Sequence, residues 1–140
     1  MRKRSLSREY ALQILYAVNI RKNDQPHYVQ EVFWQNHADE ASEVKDFAQT
    51  LVQGTVSRLD EIDPLISRYA DNWRLDRMAV IDRNILRMAT YELLFLPDIP
   101  PKVTINEAVE MAKKFGDEES GRFVNGILDK INKEECKKQL

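Results

Sequence analysis

The residues best suited to chemistry stand at the start of the chain, where four cations occur in eight positions without an acidic residue among them: Arg2, Lys3, Arg4 and Arg8. Tyr10 and Tyr16 follow them. This combination is typical of single-stranded RNA binding, because cations contact phosphates while aromatic rings receive stacked bases. The same residues also fit a purely structural interpretation, a disordered basic start followed by tyrosines half-buried between helices.

The residue sets that other chemistries require are missing from the sequence. His27, His37 and Cys136 are its only histidines and its only cysteine, too few for a structural zinc site. Its four glycines are scattered and form no nucleotide-binding loop. Glu118 and Glu119 form a carboxylate pair without a nucleophile motif, and they fit the acidic first turn of a helix. We therefore expect no catalytic residue, no metal and no cofactor.

The overall charge is nearly balanced, with 21 basic and 23 acidic residues among 140, but its distribution is uneven. Positions 21–71 hold five basic residues against ten acidic ones. A short cationic segment on an acidic body indicates one surface patch that faces a polyanion.

Length, cysteine content and hydropathy describe one domain in a reducing compartment. A chain of 140 residues has the size of a single domain, and one cysteine allows no internal disulfide. The longest uncharged runs, Tyr10–Ile20 and Phe47–Ser57, are shorter than the roughly 18 residues that a membrane helix needs. The basic start lacks a signal-peptide cleavage site. We expect a cytoplasmic protein that does not associate with a membrane.

Apolar residues recur at helical spacing along the chain, and no segment shows the alternation of a strand. The pattern predicts a first helix from Ser5 or Ser7 to about Lys22, then a turn at 23–26 and a short second helix. A third helix is predicted from Ser42. Asp63 followed by Pro64 predicts the start of a fourth.

The most apolar segment, Leu75–Leu96, predicts a central helix surrounded by others. A linker at Pro100–Pro101 follows, and Thr104–Glu107 has the pattern of a capping box that begins the next helix. Gly116 fits a left-handed helix end. A last helix is predicted through 123–131.

These patterns together predict an all-α protein with a single domain at 1–140. We expect residues 1–4 to form a flexible basic arm and residues 133–140 to form a frayed tail.

Three groups of segments carry a family resemblance that spans nearly the whole chain. They are Arg8–Tyr16 (REYALQILY), Trp73–Arg77 with Ile81–Leu93, and Pro100–Glu110 with Phe115–Gly116 and Phe123–Lys130. They resemble the NusB family of bacterial transcription antitermination factors. Positions 22–71 match only in helical pattern.

The resemblance implies about seven helices in two packed subbundles and a role without catalysis. It implies binding of the boxA element of nascent single-stranded RNA together with NusE, a small-subunit ribosomal protein. Other Nus factors and RNA polymerase would be indirect partners at ribosomal RNA operons.

The resemblance also implies the site residues. The expected RNA-binding residues are Arg2, Lys3, Arg4, Arg8, Gln13, Lys102 and Phe123. The expected residues of the joint NusE and RNA surface are Tyr16, Asp82, Phe115 and Glu119.

The sequence leaves several alternatives open. Tyr16, Phe115 and Phe123 also fit core positions, and Asp82 also fits a solvated helix charge, although it stands within an apolar run. For the whole chain, the alternatives are an RNA-binding domain associated with a ribosomal RNA methyltransferase and a helical adaptor that binds only proteins.

Overall fold

The structure, a computed structural model, describes residues 2–20, 26–71 and 74–138. Within these ranges the chain forms seven α-helices, one 3-10 turn and no strand. The helices are α1 (Lys3–Ile20), α2 (Pro26–Gln35), α3 (Ser42–Ser57), α4 (Leu59–Tyr69), α5 (Val80–Phe95), α6 (Pro101–Phe115) and α7 (Ser120–Glu135), with the 3-10 turn at Leu75–Arg77. Positions 23–25 of the predicted turn at 23–26 lie outside the described residues, as do Met1, Trp73 and residues 139–140, whereas Pro26 begins α2.

Helix α5 lies at the centre of the molecule, as its apolar sequence predicts. It contacts five of the other helices, α1, α3, α4, α6 and α7. Its side chains Ile85, Leu86 and Met88 are fully buried. The seven helices, with no strand in the described ranges, confirm the all-α fold.

Gly54 of α3 makes room for the ring of Tyr91 of α5. A Cβ atom added at Gly54 would overlap the far end of this ring, so a larger residue there would force the Tyr91 side chain to move. No sequence motif assigned a role to this glycine.

Three helices begin earlier than predicted, and one begins later. Helix α1 begins at Lys3 rather than at Ser5 or Ser7, and α5 begins at Val80 rather than at Leu75. Helix α4 begins at Leu59 and contains Pro64, because burial of Ile62 and Ile66 on one face outweighs the local signal of the proline. Helix α6 begins at Pro101, a residue suited to the first helical position because its missing N–H has no partner to lose there. The predicted capping box at Thr104–Glu107 is therefore wrong, since these residues lie inside the helix.

The predicted ends of two other elements also differ. Gly116 has extended backbone angles, φ −96° and ψ −162°, rather than a left-handed conformation. It accommodates the hydroxyl of Ser120, which a Cβ atom there would overlap. The predicted frayed tail is helical as far as Glu135, and the Lys138 Nζ donates hydrogen bonds to the Glu92 and Ile99 carbonyls at 2.8 Å each.

In the described ranges no helix has the length and apolar character to cross a membrane.

Candidate RNA and partner interface

Helix α1 distributes its cations to three sides because successive residues of a helix point about 100° apart. Arg2 lines a cleft against α6, whereas Lys3 and Arg4 line a cleft against α3. Arg8 points into the interior. The helix begins at Lys3, so within the predicted flexible arm at 1–4 Lys3 and Arg4 are helical, whereas Arg2 precedes the helix.

The position of Arg8 corrects its predicted place on an RNA-facing surface. The residue is 2% exposed, and its Nε and Nη2 donate hydrogen bonds at 2.8 Å to the two carboxylate oxygens of Glu92. Burial alone would lower the pKa of Arg8, but the hydrogen bond and charge of Glu92, with the charge of Glu107, raise it. Arg8 therefore holds α1 against α5 rather than facing solvent.

Polar residues of α1 and α6 complete this buried network. The Thr104 hydroxyl donates to Glu92 Oε1 at 2.9 Å, and Arg8 Nη1 lies 3.3 Å from Glu107 Oε1. Ser5 donates to the same Glu107 oxygen. Thr104 and Glu107, which have the sequence pattern of a capping box, thus connect α6 to α5 and to α1.

The cleft between α1 and α6 is one candidate surface. It has a volume of about 580 Å³. Its walls include Arg2, just before α1, with Ser5 and Glu9 of α1, and Val103, Asn106, Glu110 and Lys114 of α6, together with Glu107 and Met111. Both sets repeat every three or four residues, so each lies along one helix face. The Lys114 Nζ closes one end by an ion pair with Glu9 at 3.0 Å.

The α1 face continues beyond this cleft with exposed Gln13 and Tyr16. Tyr16 is 44% exposed, which rules out the alternative of a core tyrosine. Tyr10, in contrast, packs against Phe33 and Trp34 of α2, with ring centroids 5.7 Å apart in both pairs. Of these two tyrosines, Tyr16 is the one available for stacking.

The turn between α6 and α7 extends the same surface. Phe115 is 37% exposed, and its ring centroid lies 5.3 Å from Lys114 Nζ. Asp117 organises the turn by accepting hydrogen bonds from the backbone N–H of Glu119 at 2.9 Å and from the Ser120 hydroxyl at 3.2 Å. The Glu119 side chain is left on the outside of the turn, 75% exposed.

Asp82 lies beneath this turn, at the start of α5. It is only 7% exposed, and its Oδ1 has no hydrogen-bond partner. Burial raises the pKa of Asp82; a hydrogen bond with Ser120 opposes the rise, and the charge of Asp117 adds to it. The solvated-charge alternative is therefore wrong, and the residue couples α5 to the turn.

The second cleft, between α1 and α3, combines cations with acids and a ring. Lys3 forms an ion pair with Glu43 at 3.1 Å, and the Arg4 guanidinium lies over the ring of Phe47. Phe47 was not predictable as a site residue, because it stands more than 40 positions from Arg4 and fits a core position by its spacing.

Lys102 and Phe123 do not line the α1–α6 cleft. Lys102 lines a separate cleft with Asp129 and Asn132 of α7. Phe123 is half-buried against the core, which agrees better with the alternative of a core position than with an RNA contact. Among the described residues, no group of three or more histidine, cysteine, aspartate or glutamate side chains is placed to bind a metal ion.

Comparison with known proteins assigns the family. The model of the NusB family matches residues 5–133. The chain belongs to the NusB family. A relative described as transcription antitermination protein NusB, from Thermodesulfovibrio yellowstonii, is 49% identical over 141 aligned positions that cover 95% of this chain and 93% of the relative.

Solved NusB structures have the same fold. The structure of T. maritima NusB has a TM-score of 0.87 and 41% identity to this NusB-family chain, covering 97% of this chain and 94% of the other. A crystal structure of the antitermination factors NusB and NusE in complex with dsRNA has a TM-score of 0.85 and 31% identity, covering 95% and 98% of the two chains.

Proposed function

We propose that this NusB-family chain is a non-catalytic transcription antitermination factor that binds boxA-type RNA together with NusE. It acts in the cytoplasm within a complex that includes other Nus factors and reaches RNA polymerase at ribosomal RNA operons. The observation that carries the proposal is the continuous surface formed by α1, α6 and the α6–α7 turn. This surface combines cations with carboxylates in the cleft, and it presents exposed rings and the Glu119 carboxylate near the turn, as a joint RNA and protein site requires.

The two ends of this surface suit different partners. At one end, Arg2 lies in the α1–α6 cleft just before α1, while Lys3 and Arg4 lie in the α1–α3 cleft on another side of the same helix start. We assign the phosphate contacts to these three cations, with Gln13 further along α1. At the other end, exposed Tyr16 and Phe115 provide anchors, and Glu119 provides a negative charge. Aromatic anchors with a charged rim are typical of protein interfaces, so we assign this end to NusE and the adjoining RNA.

Two of the predicted residues, Arg8 and Asp82, take other parts in this proposal. Arg8 acts indirectly by fixing α1, and Asp82 acts by shaping the turn that carries Glu119. Lys102 and Phe123 remain predicted RNA contacts outside the α1–α6 cleft.

Substitution of Glu119 tests the assignment of the NusE end. Glu119→Lys reverses an exposed charge, so we expect slower association with NusE and a weaker complex, measured by surface plasmon resonance, while thermal unfolding is unchanged. Glu134→Lys makes the same charge change at the far end of α7 and is the matched control. Equal NusE binding by both variants and the parent would contradict the assignment.

RNA binding distinguishes the whole proposal from its alternatives. Fluorescence anisotropy of labelled boxA-type single-stranded RNA should show weak binding by the chain alone and tighter binding when NusE is present. Double-stranded RNA serves as a second probe, because the NusB–NusE crystal structure contains dsRNA. RNA binding that does not change when NusE is added would favour the methyltransferase-associated domain. Binding of NusE by a chain that does not bind RNA would favour the adaptor.

A further inference from the structure

The ring of Phe47 lies under two arginines of α1. The Arg4 Cζ is 4.5 Å from the ring centroid, and the Arg8 Cζ is 5.4 Å from it. Phe47 is half-buried against the core, so its ring has a fixed place in α3. Arg4, in contrast, is an exposed residue in the first turn of α1.

Arg4 differs from Lys3 and Arg8 in the partner of its charged group. Lys3 is paired with Glu43 and Arg8 with Glu92, but within the described residues no carboxylate forms an ion pair with Arg4. A cation–π contact uses the face of the planar guanidinium, whereas its N–H donors lie around the edge. The ring can therefore fix Arg4 without consuming the donors that a phosphate needs.

We propose that Phe47 is a positioning residue for RNA binding, which holds the Arg4 guanidinium in place so that its free N–H donors bind a phosphate group of the RNA. This inference rests on the proposed RNA-binding function. An exposed arginine loses side-chain freedom when it binds a ligand, and a guanidinium already stacked on a ring has less to lose. Phe47 thus strengthens binding without contacting the RNA.

A double-mutant cycle tests the inference, with affinity for labelled boxA-type RNA measured by anisotropy in the presence of NusE. We expect Phe47→Leu to weaken binding about three- to tenfold, the range for ordering one long side chain on association. Phe47→Tyr keeps the aromatic face and should keep the parent affinity. When Arg4 is already alanine, Phe47→Leu should have no further effect.

The salt dependence separates positioning from direct contact. Arg4→Ala should reduce the slope of log K against log salt by about 0.7, because one phosphate contact is lost. Phe47→Leu should leave the slope unchanged, since Arg4 still neutralises that phosphate. A general structural defect would not produce this difference.

Phe95 offers a matched control, because the Arg58 Cζ lies 4.6 Å from its ring centroid, away from the α1 surface. Phe95→Leu should leave RNA affinity unchanged. Thermal unfolding checks that each variant is folded, and Phe47→Met replaces Phe47→Leu if the leucine variant is not. Additive effects of the two substitutions, or a normal affinity of the folded Phe47 variant while Arg4→Ala is weakened, would overturn the inference. Absence of RNA binding by the parent would overturn the proposed function instead.

Discussion

At the scale of single residues, chemical type alone did not reveal which cations are accessible. Arg2, Arg4 and Arg8 belong to the same basic segment, yet Arg8 is buried while the others line clefts. The difference arises from the rotation of the helix and from Glu92, which stands 84 positions away along the chain. No local sequence pattern contains that pairing. The sequence therefore predicted a basic segment, but it did not predict which of its cations are accessible.

The exposure of Phe115 makes a residue-level prediction. Phe115→Ala should change the free energy of unfolding by no more than about 0.5 kcal/mol, as is usual for surface positions. It should weaken binding by about 1–3 kcal/mol if the ring stacks on an RNA base. Chemical denaturation and RNA anisotropy with NusE give the two quantities.

Tyr28→Ala on α2 is the comparison for Phe115→Ala, because Tyr28 is also an exposed aromatic residue. It should not alter RNA or NusE binding. A large loss of stability in Phe115→Ala, or normal binding by the folded variant, would contradict the assignment of Phe115 to the interface.

At the scale of elements, the buried network of Arg8, Glu92, Thr104 and Glu107 fixes α1 to α5 and α6. Removing one partner of a buried ion pair leaves the other charged and unpaired. Arg8→Met should therefore lower the free energy of unfolding by about 3–5 kcal/mol, measured by denaturant titration. A second substitution, Glu92→Leu, should recover most of this loss because it removes the unpaired charge.

The ion pair of Arg87 with Asp63 provides the control for this experiment. It has similar geometry, with hydrogen bonds of 2.8 and 2.9 Å, but its side chains are partly exposed. Arg87→Met should cost clearly less stability than Arg8→Met. Similar losses for the two variants would show that burial does not control the energetics of the Arg8 pair.

The existence of the helices was predictable, but several of their ends were not. Helical periodicity depends on burial over many residues, and it correctly predicted the all-α fold and the central position of α5. Helix ends depend on one or two residues, and at Leu59 the burial of Ile62 and Ile66 outweighed the local signal of Pro64. At Pro101 and Gly116, one local signal outweighed another. The capping-box pattern failed because both of its polar side chains found partners on other helices.

At the scale of the whole molecule, the acidic body competes for the basic surface. Glu43 and Asp46 of α3 line the same cleft as Lys3 and Arg4. The ion pair of Lys3 with Glu43 must loosen before Lys3 can contact a phosphate. The carboxylates of α3 therefore compete with RNA phosphates for these cations, which the net charge of −2 does not reveal.

Removing this competitor should strengthen RNA binding. Glu43→Gln is expected to improve the free energy of binding by about 0.2–1 kcal/mol at low salt, the range of an exposed ion pair, and by less at high salt. Anisotropy titrations across a salt series would measure the effect. Glu134→Gln changes the net charge equally at the end of α7 and should have a smaller effect. If both variants gain equally, the benefit comes from net charge and not from release of Lys3.

The ion pair that anchors α1 also bears on how the protein responds to heat. Charged groups lose favourable hydration as temperature rises, so the cost of keeping Arg8 and Glu92 out of water decreases on warming. The stabilisation from apolar burial per unit area, in contrast, levels off. The helix that carries the basic surface is therefore attached by a contact whose relative contribution grows toward the melting temperature.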